Sequence, residues 1–146
     1  MDAIRALRRE ASGVGSAAGP PKKKRAEPKR APYRRVALDG QWEALIGTSA
    51  EGNATVTFEL ASADDLWLHA RGVPGAHVIL RGQAEPPDAV LARAAALAAA
   101  HSSARANGNV EVDITKRRYV KKIPNAPPGL VRYTNERTLR VSPGGA

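Results

Sequence analysis

One segment of this chain has a far stronger helix propensity than any other, and the folded remainder reads as short strands. Asp88 to Ala106 holds ten alanines, the best helix former. Pro86-Pro87 precedes it and Asn107-Gly108 follows, so Asp88 can cap the start and the Asn-Gly pair can end the helix in the left-handed conformation. Its small side chains give it a narrow profile, suited to lying close against a sheet.

Around that helix the hydrophobic pattern has period two. Arg35 to Leu38 and Trp42 to Gly47 read as strands joined by Asp39-Gly40, a pair that accommodates a type I′ hairpin turn. Ala54 to Leu60 alternates, with Val56, Phe58 and Leu60 inward and Thr55, Thr57 and Glu59 outward. Leu66 to Ala70 and Ala76 to Leu80 flank the turn-like Gly72-Val73-Pro74-Gly75. Val110 to Thr115 alternates again, followed by a basic strand or loop from Lys116 to Lys122. Leu130 to Tyr133 and Arg137 to Val141 read as a last hairpin around Asn135-Glu136. The pattern predicts an α+β fold over 33–143: a mostly antiparallel or mixed sheet of short strands with one long Ala-rich helix packed on it. There is no internal repeat.

Ahead of that domain, residues 1–11 read as a short helix or the last turns of a longer one, through Ile4 and Leu7 at helical spacing. Residues 12–32 read as a Pro-rich basic linker, extended and disordered through like-charge repulsion, and 144–146 as a tail.

The 146 residues, 42% of them hydrophobic, suffice for one domain with a normal core. Lys and Arg number 23 against 14 acidic residues, a formal charge of +9. That excess points to a polyanionic partner, nucleic acid or an anionic membrane face. The chain has no cysteine, which excludes disulfides, thiolate metal sites and cysteine nucleophiles. Its first residues lack the apolar run of a signal peptide, and no stretch reaches the ~20 apolar residues of a membrane span. A cytoplasmic protein without membrane contact is the expectation.

Four features carry candidate chemistry. Alternation along DLWLHARGVPGAHVIL places Trp67, His69 and Arg71 on one strand face, and the turn returns His77 beside them. A ring, an imidazole and a guanidinium together suit a nucleotide, whose base offers a π-face and whose phosphate attracts cations. The basic tract Lys22, Lys23, Lys24, Arg25, Lys29, Arg30, Arg34 and Arg35 suits sequence-blind contact with a nucleic-acid backbone; the competing reading is a solubilising linker. Lys116, Arg117, Arg118, Lys121 and Lys122 flank Tyr119 and form a second basic surface, unless they merely guard an edge strand. Arg81, closing the strand after His77, joins this set.

His69 and His77 with Asp65 or Asp113 could instead bind a metal or do acid–base work. The two histidines are separated by a turn rather than set at helical ligand spacing, and no further group completes a recognisable constellation, so a structural or RNA-contacting role is favoured. His101, within the alanine segment, reads as packing or surface. Gly72, Pro74 and Gly75 read as turn geometry, since neither GxxxxGK[ST] nor GxGxxG is present.

DLWLHARGVPGAHVIL, the alanine-rich helix and VDITKRRYVKKIPNAPPGLVRYTNERTLRVSP, in that order, closely resemble the C-terminal RNA-binding module of NFACT proteins, called NFACT-R. The family includes bacterial proteins long labelled fibronectin-binding protein A, and the resemblance covers roughly Tyr33 to Pro143. Even AIRALRRE and the lysine-rich linker look like the exit of that family's coiled coil. The resemblance implies ribosome-associated quality control: binding large ribosomal subunits blocked by peptidyl-tRNA, recruiting alanine tRNA and supporting alanine tailing of the stalled chain. It places the family's tryptophan–histidine motif on Asp65, Trp67 and His69, its Pro-Gly-Ser-His motif on Pro74, Gly75, Ala76 and His77, and its basic strand on Lys116 to Lys122. Ala76 stands where the family usually has serine, so any role for that hydroxyl is absent. The family's N-terminal module and most of its coiled coil are missing from this sequence, which is expected to be a fragment or a stand-alone relative.

These readings converge on a non-enzymatic module, with no cofactor or metal and expected to be monomeric. Its partners would be tRNA or 23S rRNA and the large subunit, met through Trp67, His69, Arg71, His77, Arg81 and the Lys116–Lys122 segment, with the linker as an electrostatic arm. The rivals are an RNA-processing enzyme centred on His69, His77 and Asp113, and a surface adhesin, against which the missing signal peptide argues.

Overall fold

The computed structural model describes residues 32–82 and 85–143. The helix of 1–11, the linker up to residue 31 with its arm cations Lys22 to Arg30, and the tail lie outside the described residues. Among the described residues eight strands are formed: β1 Tyr33–Ala37, β2 Glu43–Gly47, β3 Leu66–Ala70, β4 Val78–Arg81, β5 Val110–Lys116, β6 Val120–Lys122, β7 Val131–Tyr133 and β8 Arg137–Val141. Six make an antiparallel sheet in the order β1-β2-β4-β3-β5-β8, while β6 and β7 form a separate two-stranded ribbon. The fold is α+β, as the alternation predicts.

The central strands explain the layering. Leu45 and Ile79 point to one face of the sheet, and Ala44, Ile46, Val78 and Leu80 to the other; all are buried. A sheet with apolar groups on both faces needs a cover on each. Helix α2, Asp88–Ala100, supplies one, laying Val90, Leu91, Ala94, Ala95, Ala98 and Ala99 against Leu68, Ala70, Val112 and Ile114. The second face carries Leu45, Trp67 and Ile79 and is closed by Val56, Phe58, Val120, Val131 and Tyr133.

That second cover corrects two sequence readings. Ala54 to Leu60 is helical, not a strand. Helix α1, Ala50–Ala54, starts at Ser49, whose Oγ accepts from Gly52 N at 2.9 Å. It runs on through Thr55–Leu60 in a wider π-helical turn, where Ala61 N donates to the Val56 carbonyl. β2 is already paired on both sides, by β1 and β4, so the segment has no free edge beside it to join. Laid over the face as helix it buries Thr55, Val56 and Thr57 and packs Val56 and Phe58 onto the Trp67 side of the sheet; packing overrides β-branched propensity.

The last two strands do not form a hairpin. β7 pairs with β6 (Val120 with Tyr133) and β8 pairs with β5 (Val110 with Val141). Thr115 Oγ1 donates to the Thr134 carbonyl at 2.7 Å and Asn135 takes a left-handed φ of 61°, which turns the chain from ribbon to sheet.

Two boundaries also move. The first hairpin closes through a three-residue connection, since Leu38 N donates to Trp42 O and Trp42 N to Asp39 O. Helix α2 ends at Ala100 rather than Ala106, because the next residues pair with the β3–β4 connection: Ala76 N donates to His101 O and Ser103 N to Pro74 O, both at 2.9 Å. At Gly75 a Cβ would lie 2.9 Å from that of Ser102, so only glycine allows this approach. Asp88 lies in the first turn, with Pro87 in the N-cap position.

The close fit of α2 gives a direct test. Ala98 is fully buried and Ala92 exposed on the same helix, so Ala98→Leu should cost about 1–3 kcal/mol by overpacking. Ala92→Leu should leave the urea midpoint nearly unchanged.

Candidate functional site

On the second face an open pocket of about 560 Å³ lies between the end of β3, the β3–β4 connection and the β6–β7 loop. Its lining includes His69, His77, Tyr133, Pro128 and Leu130, with Trp67 behind them. Trp67 has no exposed surface. Its ring is parallel to His69 with centroids 5.7 Å apart, edge-on to His77 at 5.2 Å and tilted against Tyr133 at 4.6 Å. The sequence reading of Trp67 as a stacking surface is therefore corrected: an indole here buries too much apolar area to stay in water, and His69 holds the partly buried position in front of it.

Hydrogen bonds fix each wall. His77 Nδ1 meets Thr57 Oγ1 at 2.8 Å, and its backbone N–H donates to Asn53 Oδ1 at 2.9 Å. Asn53 Nδ2 reaches back to the Gly75 carbonyl at 3.4 Å. Helix α1 and its π-helical extension thus clamp the histidine side of the pocket. On the other side, Asp113 pairs across the strands with His69 and Thr138. It accepts from Tyr133 Oη at 2.6 Å, from Thr138 Oγ1 at 2.7 Å and from Arg71 Nη1 at 3.3 Å.

Burial sets the protonation states. It lowers both histidines, His77 to about 3, where the neighbouring His69 adds to the effect. Burial, then the Asp113 carboxylate, pushes the Tyr133 phenol up, which keeps it an O–H donor. The structure does bring His69, His77 and Asp113 together, the two imidazole centroids 5.6 Å apart and edge-on. Yet Asp113 spends its oxygens on three protein donors, and His77 is a weak base. Among the described residues no group of three His, Cys, Asp or Glu could hold a metal ion.

The predicted cations divide. Arg81, read as an RNA contact, donates to the Leu60 carbonyl at 2.8 Å and faces Glu43 at 3.7 Å and Asp65 at 3.8 Å with its side chain 29% exposed, so its charge already has two carboxylates beside it. Arg118 pairs with Asp64, and Lys116 stands 3.9 Å from the same carboxylate. Arg117 donates to the Thr57 carbonyl and lies over the Phe58 ring at 4.7 Å, with Lys122 over the same ring at 5.0 Å. Arg71 remains half exposed beside Asp113. Lys121 is exposed and pairs across the ribbon with Arg132, also exposed.

Asn53, Thr57, Tyr133, Leu130 and Arg132 were not singled out by sequence. Arg132 had a usable signal: Val131, Arg132 and Tyr133 alternate in the same sense as Val120 and Lys121. His101 is a helix-end residue, its Nδ1 2.9 Å from the Leu97 carbonyl. Ala76 is buried near it.

No family model matches the chain. It is 39% identical over 108 residues to the Rqc2 homolog RqcH of Streptococcus pneumoniae D39, covering 74% of this chain and 20% of that protein. It is 40% identical over 99 residues to the Rqc2 homolog RqcH of Bacillus subtilis 168, covering 68% of this chain and 17% of that protein. The chain therefore spans about a fifth of the length of these curated relatives. A solved structure of the C-terminal part of the fibronectin/fibrinogen-binding protein from Streptococcus suis superposes with a TM-score of 0.75 at 35% identity, covering 84% of this chain and 49% of that one.

Two measurements check the site as described. Trp67→Ala should cost about 3–5 kcal/mol in urea unfolding, the value for a large core side chain. His77 binds a proton near pH 6.5 when unfolded but only near 3 when folded, so between those values the unfolded state holds more protons and stability falls as pH is lowered. From pH 7 to 5 the loss from this residue should be about 2 kcal/mol, and His77→Gln should flatten that slope.

Proposed function

The folded domain of this chain belongs to the NFACT family, as its C-terminal module, and from that premise we propose that it is a non-enzymatic RNA-binding module of a cytoplasmic ribosome quality control factor. In the full protein it would act on obstructed large subunits in support of alanine tailing, with tRNA or 23S rRNA as the molecule it touches.

One observation carries the RNA reading. Lys121 and Arg132 sit directly opposite each other on the ribbon, a like-charge pairing that weakens an antiparallel pair unless an anion lies between the charges. Among the described residues no carboxylate forms an ion pair with either of them or with Lys122. Two further cations are gathered over Phe58. A row of phosphates relieves that repulsion and releases counterions in doing so. The non-enzymatic reading is supported by the state of the would-be catalytic groups, a carboxylate already accepting from three protein donors and an imidazole that stays neutral to low pH.

Purified protein should retard labelled tRNA while leaving it intact in the presence of divalent metals. Lys121→Ala with Arg132→Ala should reduce the slope of log K against log salt by roughly 1 to 2, at ~0.7–0.9 per phosphate contact. Deleting Pro21 to Arg30 should flatten it further. Cleavage or modification of the RNA that disappeared in His69→Ala protein would favour the enzyme reading. Retention on immobilised fibronectin with RNA unshifted would favour an adhesin, as the name of the Streptococcus suis neighbour suggests.

A further inference from the structure

We propose that the pocket in front of His69 receives a single unstacked nucleobase from the bound RNA; this rests on the RNA-binding reading and names what the site selects. The first argument is the lining. Its side chains carry no formal charge apart from the two imidazoles, and burial keeps those neutral at physiological pH. A neutral, largely apolar concavity of about 560 Å³ rejects a phosphate and has room for a planar base with its ribose.

The second argument is the platform. His69 lies parallel to Trp67, at an interplanar angle of 4°, and His77 stands edge-on to both. The imidazole is thus a flat surface whose orientation is fixed from behind, so a base stacking on it orders nothing that the fold has not already ordered.

The third argument is the rim. Leu130, 53% exposed, is the large aliphatic side chain left uncovered among the described residues, and it stands in the β6–β7 loop that borders the pocket. On the ribbon that follows, Val131 and Tyr133 line the pocket while Arg132 between them is exposed, opposite Lys121. Alternation therefore sets a wall for the base and a cation for the adjoining phosphate one residue apart. An apolar side chain of a protein partner could fill the same volume, but it would leave these unpaired cations unexplained.

The test compares three RNA hairpin stems of equal length: fully paired, with one bulged nucleotide, and with an abasic residue in the bulge. The base-bearing bulge should bind about 5- to 100-fold more tightly than the other two, and a 2-aminopurine in the bulge should change its fluorescence on binding. His69→Ala and, on the exposed loop, Leu130→Ala should each shrink that preference, while Lys121→Ala should weaken all three stems alike. Leu130→Ala keeps the test decisive should His69→Ala fail to fold. Equal binding of the base-bearing and abasic bulges, or a preference unchanged in folded variants, would overturn the base pocket and leave RNA binding standing. Failure of all three stems to bind would instead overturn the RNA reading itself.

Discussion

Trp67 projects from β3 on the face away from α2, and a ring of that size leaves the water only when chain from elsewhere crosses the sheet to cover it. Two segments do so, from opposite directions. The turn of helix around Val56 arrives from the β2 side, and the β6–β7 ribbon brings Val120 and Tyr133 from the β5 side. Neither joins the six-stranded sheet, and the pocket is what remains between them. Burial of one indole thus sets the position of both walls, the shielding of both histidines and the exposure of the cations on the outer side of the ribbon. The Nε1–H of that indole finds no acceptor among the described residues, a cost of about 1–3 kcal/mol that the packing of the ring outweighs.

The same placement accounts for the electrostatics. His69 and Asp113 are neighbours on adjacent strands, an arrangement that in a wetter site would charge the imidazole. Here the desolvation of His69 exceeds the pull of the carboxylate, which also accepts from Tyr133, Thr138 and Arg71. The positive charges of the domain stay at the rim and on the outer face of the ribbon, and the cavity itself is neutral.

Much of this was legible in the sequence. Period-two alternation found β3, β4 and β5 and the sides on which Leu68 and Trp67 lie, and alanine content found α2. The return of His77 beside His69 follows from the Gly-Val-Pro-Gly connection. Thr55 to Leu60 was not legible, because a run of β-branched and apolar residues satisfies a strand template equally well, and what decides it is that β2 has no free edge. The pairing of β6 with β7 was hidden for a related reason. Asn135-Glu136 looks like a hairpin turn, and nothing local says that the strands on its two sides belong to different sheets. Trp67 shows the limit of face assignment, which says which way a side chain points but not whether another segment covers it.

The ribbon holds only three residue pairs and hangs outside the main ladder, and two-stranded pieces of this kind are marginal by themselves. In a native-state hydrogen-exchange experiment its amides would open at a lower free energy than those of β2 or β4, as a small cooperative unit of its own. A molecule that touched both the ribbon and the sheet would close that unit, and its occupancy would raise the opening free energy by RT ln(1 + [L]/Kd). Ordering of the ribbon and retention of the ligand are then one equilibrium, which lets a partner leave by loosening three pairs of residues while the six-stranded sheet stays intact.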